Sequence, residues 1–334
     1  MGRCRNRNYG DRKRDSVWNM KIRMLGTESL GVRGLCCVVE VRNRKIVIDP
    51  GIALGYCRNG LMPHPVQIGV GQIIRNKIIK ELEDAADIII SHLHGGHMPL
   101  YDANPYQLSI DQVKNISSDC RIWINHSDAI DEKKRRREEG IVLGFHKTFN
   151  EAKGQADANL SFLGPVPHGE KTAYQGNVVM TIITDGDHVF LHASDIQFFG
   201  RDTVNEIIGC RPDTVLASGP PLYLIDKMKN KTGITWDHSL RLAQKVQTLI
   251  LDHHLLRCEE GLKWIGALAE LSGNRVMCAA DFMNLKRHLL EAWRSKLYQD
   301  IPVPEDWHRL YMENNVSPDK FMDLARKKYA WFEY

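Results

Sequence analysis

The segment that decides the fold is Asp87-Ile88-Ile89-Ile90-Ser91-His92-Leu93-His94-Gly95-Gly96-His97-Met98-Pro99. Its apolar run, residues 88–90, is typical of a buried strand, and three histidines follow within six residues. A strand that ends in such a loop can gather several imidazoles around one point, and neutral imidazole is a common ligand of Zn²⁺ and Fe²⁺. A single histidine at a strand end is more often structural. Three of the chain's 14 histidines at this spacing predict a metal site.

The composition is that of an ordinary globular protein with a full core. Of the 334 residues, 43% are apolar and 26% are charged, and no apolar run is long enough to span a bilayer. We therefore expect no membrane role. The net charge of +4 arises in residues 1–19, because from Met20 onward 39 basic and 39 acidic residues cancel. This balance disfavours nucleic acid as a partner and leaves a small-molecule substrate as the expectation.

The chain is expected to divide at Met20. Residues 1–19 form a basic extension without an apolar segment, which indicates a disordered tail or a true translation start at Met20. Residues 20–334 are expected to form a single domain that ends in C-terminal helices. The eight cysteines show neither CxxC pairs nor regular spacing, so they indicate reduced residues in a cytoplasmic protein.

Alternating apolar runs and helical patterns predict an α/β (α+β) fold that opens with an antiparallel meander. Besides 88–90, the predicted strands are 20–25, 35–41, 45–48, 120–124, 178–184, 188–192, 213–217 and 248–251. The predicted helices are 72–84, 109–117, 261–271 and a tail from residue 281, in which Trp293, Trp307 and Trp331 cover the core. Segment 51–71 is rich in glycine and proline and is predicted to be a long loop. The basic run 133–137 is flanked by acidic residues, which indicates a solvated helix face.

Other strand ends also carry polar residues that suit a metal site. Asp49 follows the third strand, where alone it would be interpreted as a turn residue, and Asp195 follows the strand at 188–192. His168 lies between turn-forming residues, and the last predicted strand ends in His253 and His254.

Taken together, these residues resemble the signature of the metallo-β-lactamase superfamily: an early aspartate, a His-x-His-x-Asp-His loop, a later histidine, a bridging aspartate and a final histidine. The resemblance covers about residues 20–254. Five segments of the sequence are similar to those of a largely archaeal branch of predicted metal-dependent hydrolases. These segments are Ile48-Asp49-Pro50-Gly51, the His92 loop, Pro167-His168-Gly169, His192-Ala193-Ser194-Asp195 and Asp252-His253-His254-Leu255-Leu256-Arg257.

The resemblance implies a four-layer αββα sandwich with its site at one edge, between the two sheets. It implies that His92, His94 and His168 bind a first metal ion, that Asp195 bridges, and that His97 and His253 bind a second. Asp195 and His168 are the expected catalytic residues. Asp49 and His254 are expected to support the ligands, and His253 is preferred over His254 as the ligand because it lies nearer the strand.

Gly96 departs from the family's pattern, in which an aspartate precedes the last histidine of the loop. Loss of this anionic ligand should weaken the second ion selectively, so we expect one ion rather than two. Asp102 is a candidate to replace the missing anionic ligand. Zinc is the expected metal, with iron or manganese as alternatives.

Three functions are consistent with these residues. The first is hydrolysis of an ester, lactone, thioester, amide or phosphodiester by a metal-activated water. The second is a single-iron oxidoreductase of the same fold, and the third is a non-catalytic binding protein with a degenerate metal site, which Gly96 would explain. Loop position alone makes four side chains candidate pocket residues: His64, Tyr106, Gln197 and Tyr223. The pattern specifies neither the substrate nor the oligomeric state.

Overall fold

A computed structural model describes residues 19–54, 57–113, 115–125, 132–169 and 176–334. Apart from Asn19, the basic extension predicted for residues 1–19 lies outside these ranges. Disorder of the extension and a single domain over residues 20–334 therefore stay predictions.

Within these ranges the first sheet has six strands in chain order. They are β1 (Lys21–Thr27), β2 (Leu35–Val41), β3 (Arg44–Ile48), β4 (Asp87–Ile90), β5 (Arg121–Ile124) and β6 (Phe149–Glu151). β1, β2 and β3 pair antiparallel, which confirms the predicted meander, and β3 to β6 pair parallel. All four residues of β4 are buried, as expected for a parallel strand covered on both faces.

The second sheet of the described chain has seven strands, in the spatial order β13-β12-β11-β10-β9-β8-β7. They are β7 (Ala156–Asp157), β8 (Leu160–Pro167), β9 (Asn177–Asp185), β10 (His188–His192), β11 (Thr214–Ala217), β12 (Thr248–Leu251) and β13 (Arg275–Met277). β9 and β10, both predicted as strands, form an antiparallel hairpin, and β10 to β13 are parallel.

Hydrogen bonds link the two sheets near the ends of their strands. The backbone N–H of Val179 on β9 donates to the carbonyl oxygen of Ser91 just after β4, at 3.0 Å. Nε2 of His192, the last residue of β10, lies 3.0 Å from the carbonyl oxygen of Leu35 on β2. The sheets therefore meet at the edge where β4 and β10 end.

Helices contribute the outer layers. They are α1 (Pro65–Glu83), α2 (Glu132–Phe145), α3 (Arg201–Gly209), α4 (Ile225–Met228), α5 (Thr232–Ala243), α6 (Glu260–Ser272), α7 (Ala279–Phe282), α8 (Arg294–Asp300), α9 (Trp307–Met312) and α10 (Asp319–Lys328). α1 packs on β1 of the first sheet, whereas α3, α5 and α6 pack on β8, β12 and β13 of the second. Two sheets with helices outside them confirm the expected αββα sandwich.

α1 shows why these sequences form outer helices. Its buried residues Val70, Ile74, Ile78 and Leu82 recur every four residues and form one apolar face. Gly26 of β1 leaves room for that face, because a Cβ atom there would already be in contact with Ile74 and Ile78. Burial of each such aliphatic side chain stabilises the fold by about 1.5–3 kcal/mol.

Two predicted elements were wrong. α1 begins at Pro65 rather than at residue 72, so the loop predicted for 51–71 is shorter; His64 caps the helix and Gln67 completes a capping box. The helix predicted for 109–117 is replaced by a short 3₁₀ turn at Ile110–Gln112. The serine and aspartate residues after it compete for backbone hydrogen bonds and favour turns.

Three further observations concern the tryptophans, the basic run and the helices. Trp307 is buried in the core, and Trp293 and Trp331 pack against it. Arg135 and Arg136, in the basic run, pair with acidic neighbours on α2. Among the described residues, no helix combines the length and the apolar character needed to cross a bilayer.

Candidate metal centre

Polar residues gather where four strands end at the shared edge of the sheets. Asp49 follows β3, the histidine loop follows β4, Asp195 follows β10 and His253 follows β12. Asp49, His253 and Ser194, the residue before Asp195, have φ angles of 51°, 50° and 50°. Non-glycine residues seldom adopt this left-handed conformation, and such strain is typically retained at functional sites.

The Asp195 carboxylate is the centre of the cluster. It is almost fully buried, and the Nε2 atoms of several histidines surround it. Their distances to the nearer carboxylate oxygen are 2.6 Å for His168, 3.3 Å for His253, 3.4 Å for His97, 3.4 Å for His254 and 3.6 Å for His92. Side chains far apart in the sequence thus meet around one anionic group.

The first group of potential ligands, called here the first group, consists of His92, His94, His168 and Asp195. One ligand atom from each lies within 4.8 Å of the others. Nε2 of His92, Nδ1 of His168 and Oδ1 of Asp195 are buried without a hydrogen-bond partner among the described residues. A buried polar atom without a partner costs free energy, and a bound ion removes that cost. The donor set therefore fits a divalent metal ion.

The second group consists of His97, Asp195 and His253, whose ligand atoms also lie within 4.8 Å of one another. Gly96 contributes no side chain to it, although a Cβ atom there would have room, 3.7 Å from the carbonyl oxygen of Arg33. Nη2 of Arg257 lies 3.0 Å from Nε2 of His253. Residue 96 therefore supplies no carboxylate to the second group, and the guanidinium of Arg257 lies beside its His253.

Asp49 supports both groups. It accepts hydrogen bonds from the backbone N–H of Ser91 at 2.9 Å and from the hydroxyls of Ser91 and Ser194 at 2.8 and 2.6 Å. Its Oδ2 also lies 2.9 Å from Nδ1 of His97, and the Ser91 hydroxyl lies 2.9 Å from Nδ1 of His92. Such partners fix the ring orientation of metal-binding histidines.

Burial keeps most of the imidazoles neutral, which is the form that binds a metal. It lowers the pKa of His92 to about 4 and that of His254 to about 3, and it lowers the pKa of His94 well below its usual range. Burial also lowers the pKa of His97, but the carboxylates of Asp195 and Asp49 outweigh it and raise that pKa to about 10.

Comparison with known proteins assigns the chain to a family. A UPF0282 protein from Methanosarcina mazei is 40% identical over 303 residues, which cover 91% of this chain and 100% of that one. Another from Pyrococcus furiosus is 34% identical over 306 residues, covering 86% of this chain and 96% of that one. The chain belongs to the UPF0282 family.

No protein-family model matches the chain. Among solved structures, it is similar to Tm1679, described as a metal-dependent hydrolase of the β-lactamase superfamily. The TM-score is 0.47 and the identity 14%, with 78% of this chain and 96% of the other covered. The expected membership of a largely archaeal family is confirmed by these relatives.

All the residues expected at the site of this UPF0282 protein lie in the cluster. The first and second groups contain His92, His94, His97, His168, Asp195 and His253. Asp49 forms a further set of neighbouring ligand atoms with His92 and His97, and His254 contacts Asp195. Their roles stay proposals. Asp102 is exposed and belongs to none of the ligand groups found among the described residues.

The four candidate pocket residues have different surroundings in the structure. His64 is fully buried as the cap of α1, and burial lowers its pKa to about 4. Tyr106 is buried with its hydroxyl 3.2 Å from Nδ1 of His308, and Gln197 is also buried. Tyr223 does reach the site, with its hydroxyl 3.2 Å from Nδ1 of His254.

Sequence analysis assigned no role to Glu28 or to Arg257, although Arg257 ends the quoted segment 252–257. Nε of Arg257 donates to Glu28 at 2.6 Å, and its Nη1 lies 2.8 Å from the Tyr223 hydroxyl and 3.2 Å from Nδ1 of His254. The only local signal was the position of Arg257 four residues after His253, on the turn that follows β12. Glu28 carried none, because 229 residues separate it from Arg257.

Proposed function

We propose that the protein is a metal-dependent hydrolase that holds one divalent ion in the first group and acts on a small-molecule substrate. The observation that carries this proposal is the convergence of ligand atoms from His92, His94, His168 and Asp195 within 4.8 Å of one another. Nε2 of His92 and Oδ1 of Asp195 are buried there without hydrogen-bond partners among the described residues. A mixed imidazole and carboxylate set suits zinc, with iron or manganese as alternatives. The scissile bond belongs to an ester, lactone, thioester, amide or phosphodiester.

When bound, a divalent ion lowers the pKa of a water molecule and polarises the scissile carbonyl or phosphoryl group. Asp195 can accept a hydrogen bond from the attacking water through Oδ1, which has no hydrogen-bond partner among the described residues. His168 holds the other carboxylate oxygen, with Nε2 2.6 Å from Oδ2. The carboxylate is thereby oriented before the substrate arrives.

His254 can act as a hydrogen-bond donor. Arg257 has only donor atoms, and its Nη1 lies 3.2 Å from Nδ1 of His254, so that nitrogen accepts. The proton of the neutral imidazole then lies on Nε2, which faces Asp195 at 3.4 Å. From this position His254 can stabilise negative charge that develops on the substrate.

Elemental analysis and turnover test the proposal together. The purified full chain should contain about one divalent ion per molecule. It should hydrolyse at least one member of a panel of chromogenic esters, thioesters and phosphodiesters, lose that activity with a chelator and regain it with zinc, manganese or iron. An Asp195→Asn variant should be inactive on the same substrates, and an exposed Asp84→Asn variant should match the unaltered protein.

Two results would contradict the proposal. Oxygen consumption by an iron-loaded protein that hydrolyses nothing would favour the oxidoreductase. Metal content well below about one ion per chain, even after metal is supplied, would favour a binding protein without a catalytic centre.

A further inference from the structure

A cavity of about 810 Å³ lies beside the candidate metal centre. Arg33, Arg58, Tyr223, Arg257 and Glu291 contribute to its walls. Its volume is in the range of small-molecule sites. We call it the arginine cavity.

The arginine cavity and the metal centre share two side chains. Tyr223 lines the cavity and places its hydroxyl 3.2 Å from Nδ1 of His254. Arg257 also lines the cavity and places Nη2 3.0 Å from Nε2 of His253. A molecule in the cavity therefore lies next to the histidines that surround Asp195.

Three arginines line the arginine cavity, against two glutamates, Glu260 and Glu291. Arg257 is paired with Glu28 at 2.6 Å, but Arg33 forms no ion pair with any residue that the structure describes. The nearest carboxylate oxygen to Arg58 belongs to Glu291, at 3.6 Å.

Glu291 cannot neutralise Arg58 fully, because other groups already engage it. Its Oε2 accepts from Arg294 at 2.5 Å and from the Gln67 amide at 3.0 Å. Nη1 of Arg58 is buried and has no hydrogen-bond partner among the described residues. Guanidinium donors are thus available at the cavity wall.

The Tyr223 ring holds two of these cations in place. The guanidinium carbon of Arg58 lies 5.0 Å from the ring centroid and that of Arg257 lies 5.4 Å from it. These are cation–π distances, and they restrict the side chains before any ligand binds. A planar guanidinium fork that is already oriented matches the oxygens of a phosphate or a carboxylate.

We propose that the arginine cavity binds an oxyanion group, a phosphate or a carboxylate, of the substrate whose scissile bond lies at Asp195. This proposal rests on the proposed function, because the bound anion belongs to a substrate only if the protein is a hydrolase. Anion binding by Arg33 and Arg58 is measurable without any turnover.

Calorimetric titration of the full chain with inorganic phosphate, and separately with acetate at the same ionic strength, tests the binding. Arg33→Gln and Arg58→Gln should each weaken binding of the preferred anion by about tenfold, as expected for loss of a charged hydrogen-bond donor. Arg309→Gln, an exposed arginine on α9, is the matched control and should not change it. The tighter of the two anions identifies the group that the cavity recognises.

A His94→Ala variant separates the cavity from a bound ion, because His94 belongs to the first group and does not line the cavity. Anion binding that persists in His94→Ala and falls in the two arginine variants supports the proposal. Binding that is lost in His94→Ala and intact in both arginine variants places the anion on the metal and overturns it, as does absence of binding to the unaltered protein. Melting temperatures of the variants check that each one folds.

Kinetics provide a second readout that a merely structural arginine would not change. In Arg33→Gln, the ratio of kcat/KM for an anionic ester to kcat/KM for its uncharged analogue should fall about tenfold. An unchanged ratio overturns the proposal. If the protein hydrolyses no member of the substrate panel, the proposed function fails, whereas the titration still decides whether the cavity binds anions.

Discussion

The two groups of side chains that meet at Asp195 differ in their surroundings. The first group combines three histidines with the shared carboxylate. The second has His97 and His253 with the same carboxylate, the neighbouring Gly96 supplies no side chain, and Nη2 of Arg257 lies 3.0 Å from Nε2 of His253. A second cation is disfavoured where an anionic ligand is missing and a guanidinium is already present.

If one ion is bound, as proposed, these surroundings favour the first group over the second. Arg257, which contacts His253 in the second group, also lines the arginine cavity. The predictions below test this distinction.

Replacement of a first-group ligand should have the largest effect. His94→Ala should release the ion and lower kcat/KM more than about 100-fold, because even the partners of metal ligands contribute about 10- to 100-fold. His97→Ala should keep the ion and lower kcat/KM by about 10- to 100-fold, through its contact with Asp195. Metal analysis and kinetics measure both effects.

His146→Gln, an exposed histidine outside the cluster, is the control for these variants. Release of the ion by His97→Ala together with its retention by His94→Ala would contradict the view that the first group holds the ion.

Replacement of Asp49 should have an intermediate effect on both groups. Asp49→Asn keeps the size of the side chain but removes the charge facing His97 and forces an amide against the Ser91 and Ser194 hydroxyls. Metal affinity or activity should fall about 10- to 100-fold, measured by competition with a chromogenic chelator. An affinity equal to that of the unaltered protein would show that neither group depends on this support.

Replacement of Gly96 should have the smallest effect and the most specific one. A Cβ atom at residue 96 has only ordinary contacts, so Gly96→Asp should fold and raise the metal content from about one ion to about two. Gly96→Asn is the control, since it adds similar volume without a charge. Equal metal content in all three proteins would contradict the view that residue 96 determines the second position.

Much of the first sheet was predictable because its strands are defined by local pattern. The apolar runs of β2 and β4 carry their own signals. The start of α1 was missed although Pro65 and Gln67 were local signals, because the glycines and prolines before them favoured a loop. The false helix at 109–117 shows the reverse error, in which a helical pattern lost to side chains that favour turns.

The residues of the metal centre were predictable where they follow a strand that the sequence predicts. His92, His94 and Asp195 follow predicted strands, and parallel strands deliver their carboxyl ends to one edge. His168 follows β8, which was not predicted. The arginine cavity was not predictable in this way. Arg33, Arg58, Tyr223 and Arg257 are spread over more than 220 residues, and each is ordinary in its local sequence.

The sequence by itself determined the elements and the chemistry available at their ends: buried strands, an imidazole-rich loop, and Gly96 in place of a carboxylate. Only the tertiary structure decided which charges face one another. It placed Arg257 against His253 and left Arg33 without an ion pair among the described residues. The physical reason is range: hydrophobic period and turn chemistry act over a few neighbouring residues, whereas charges interact across space once the chain is folded.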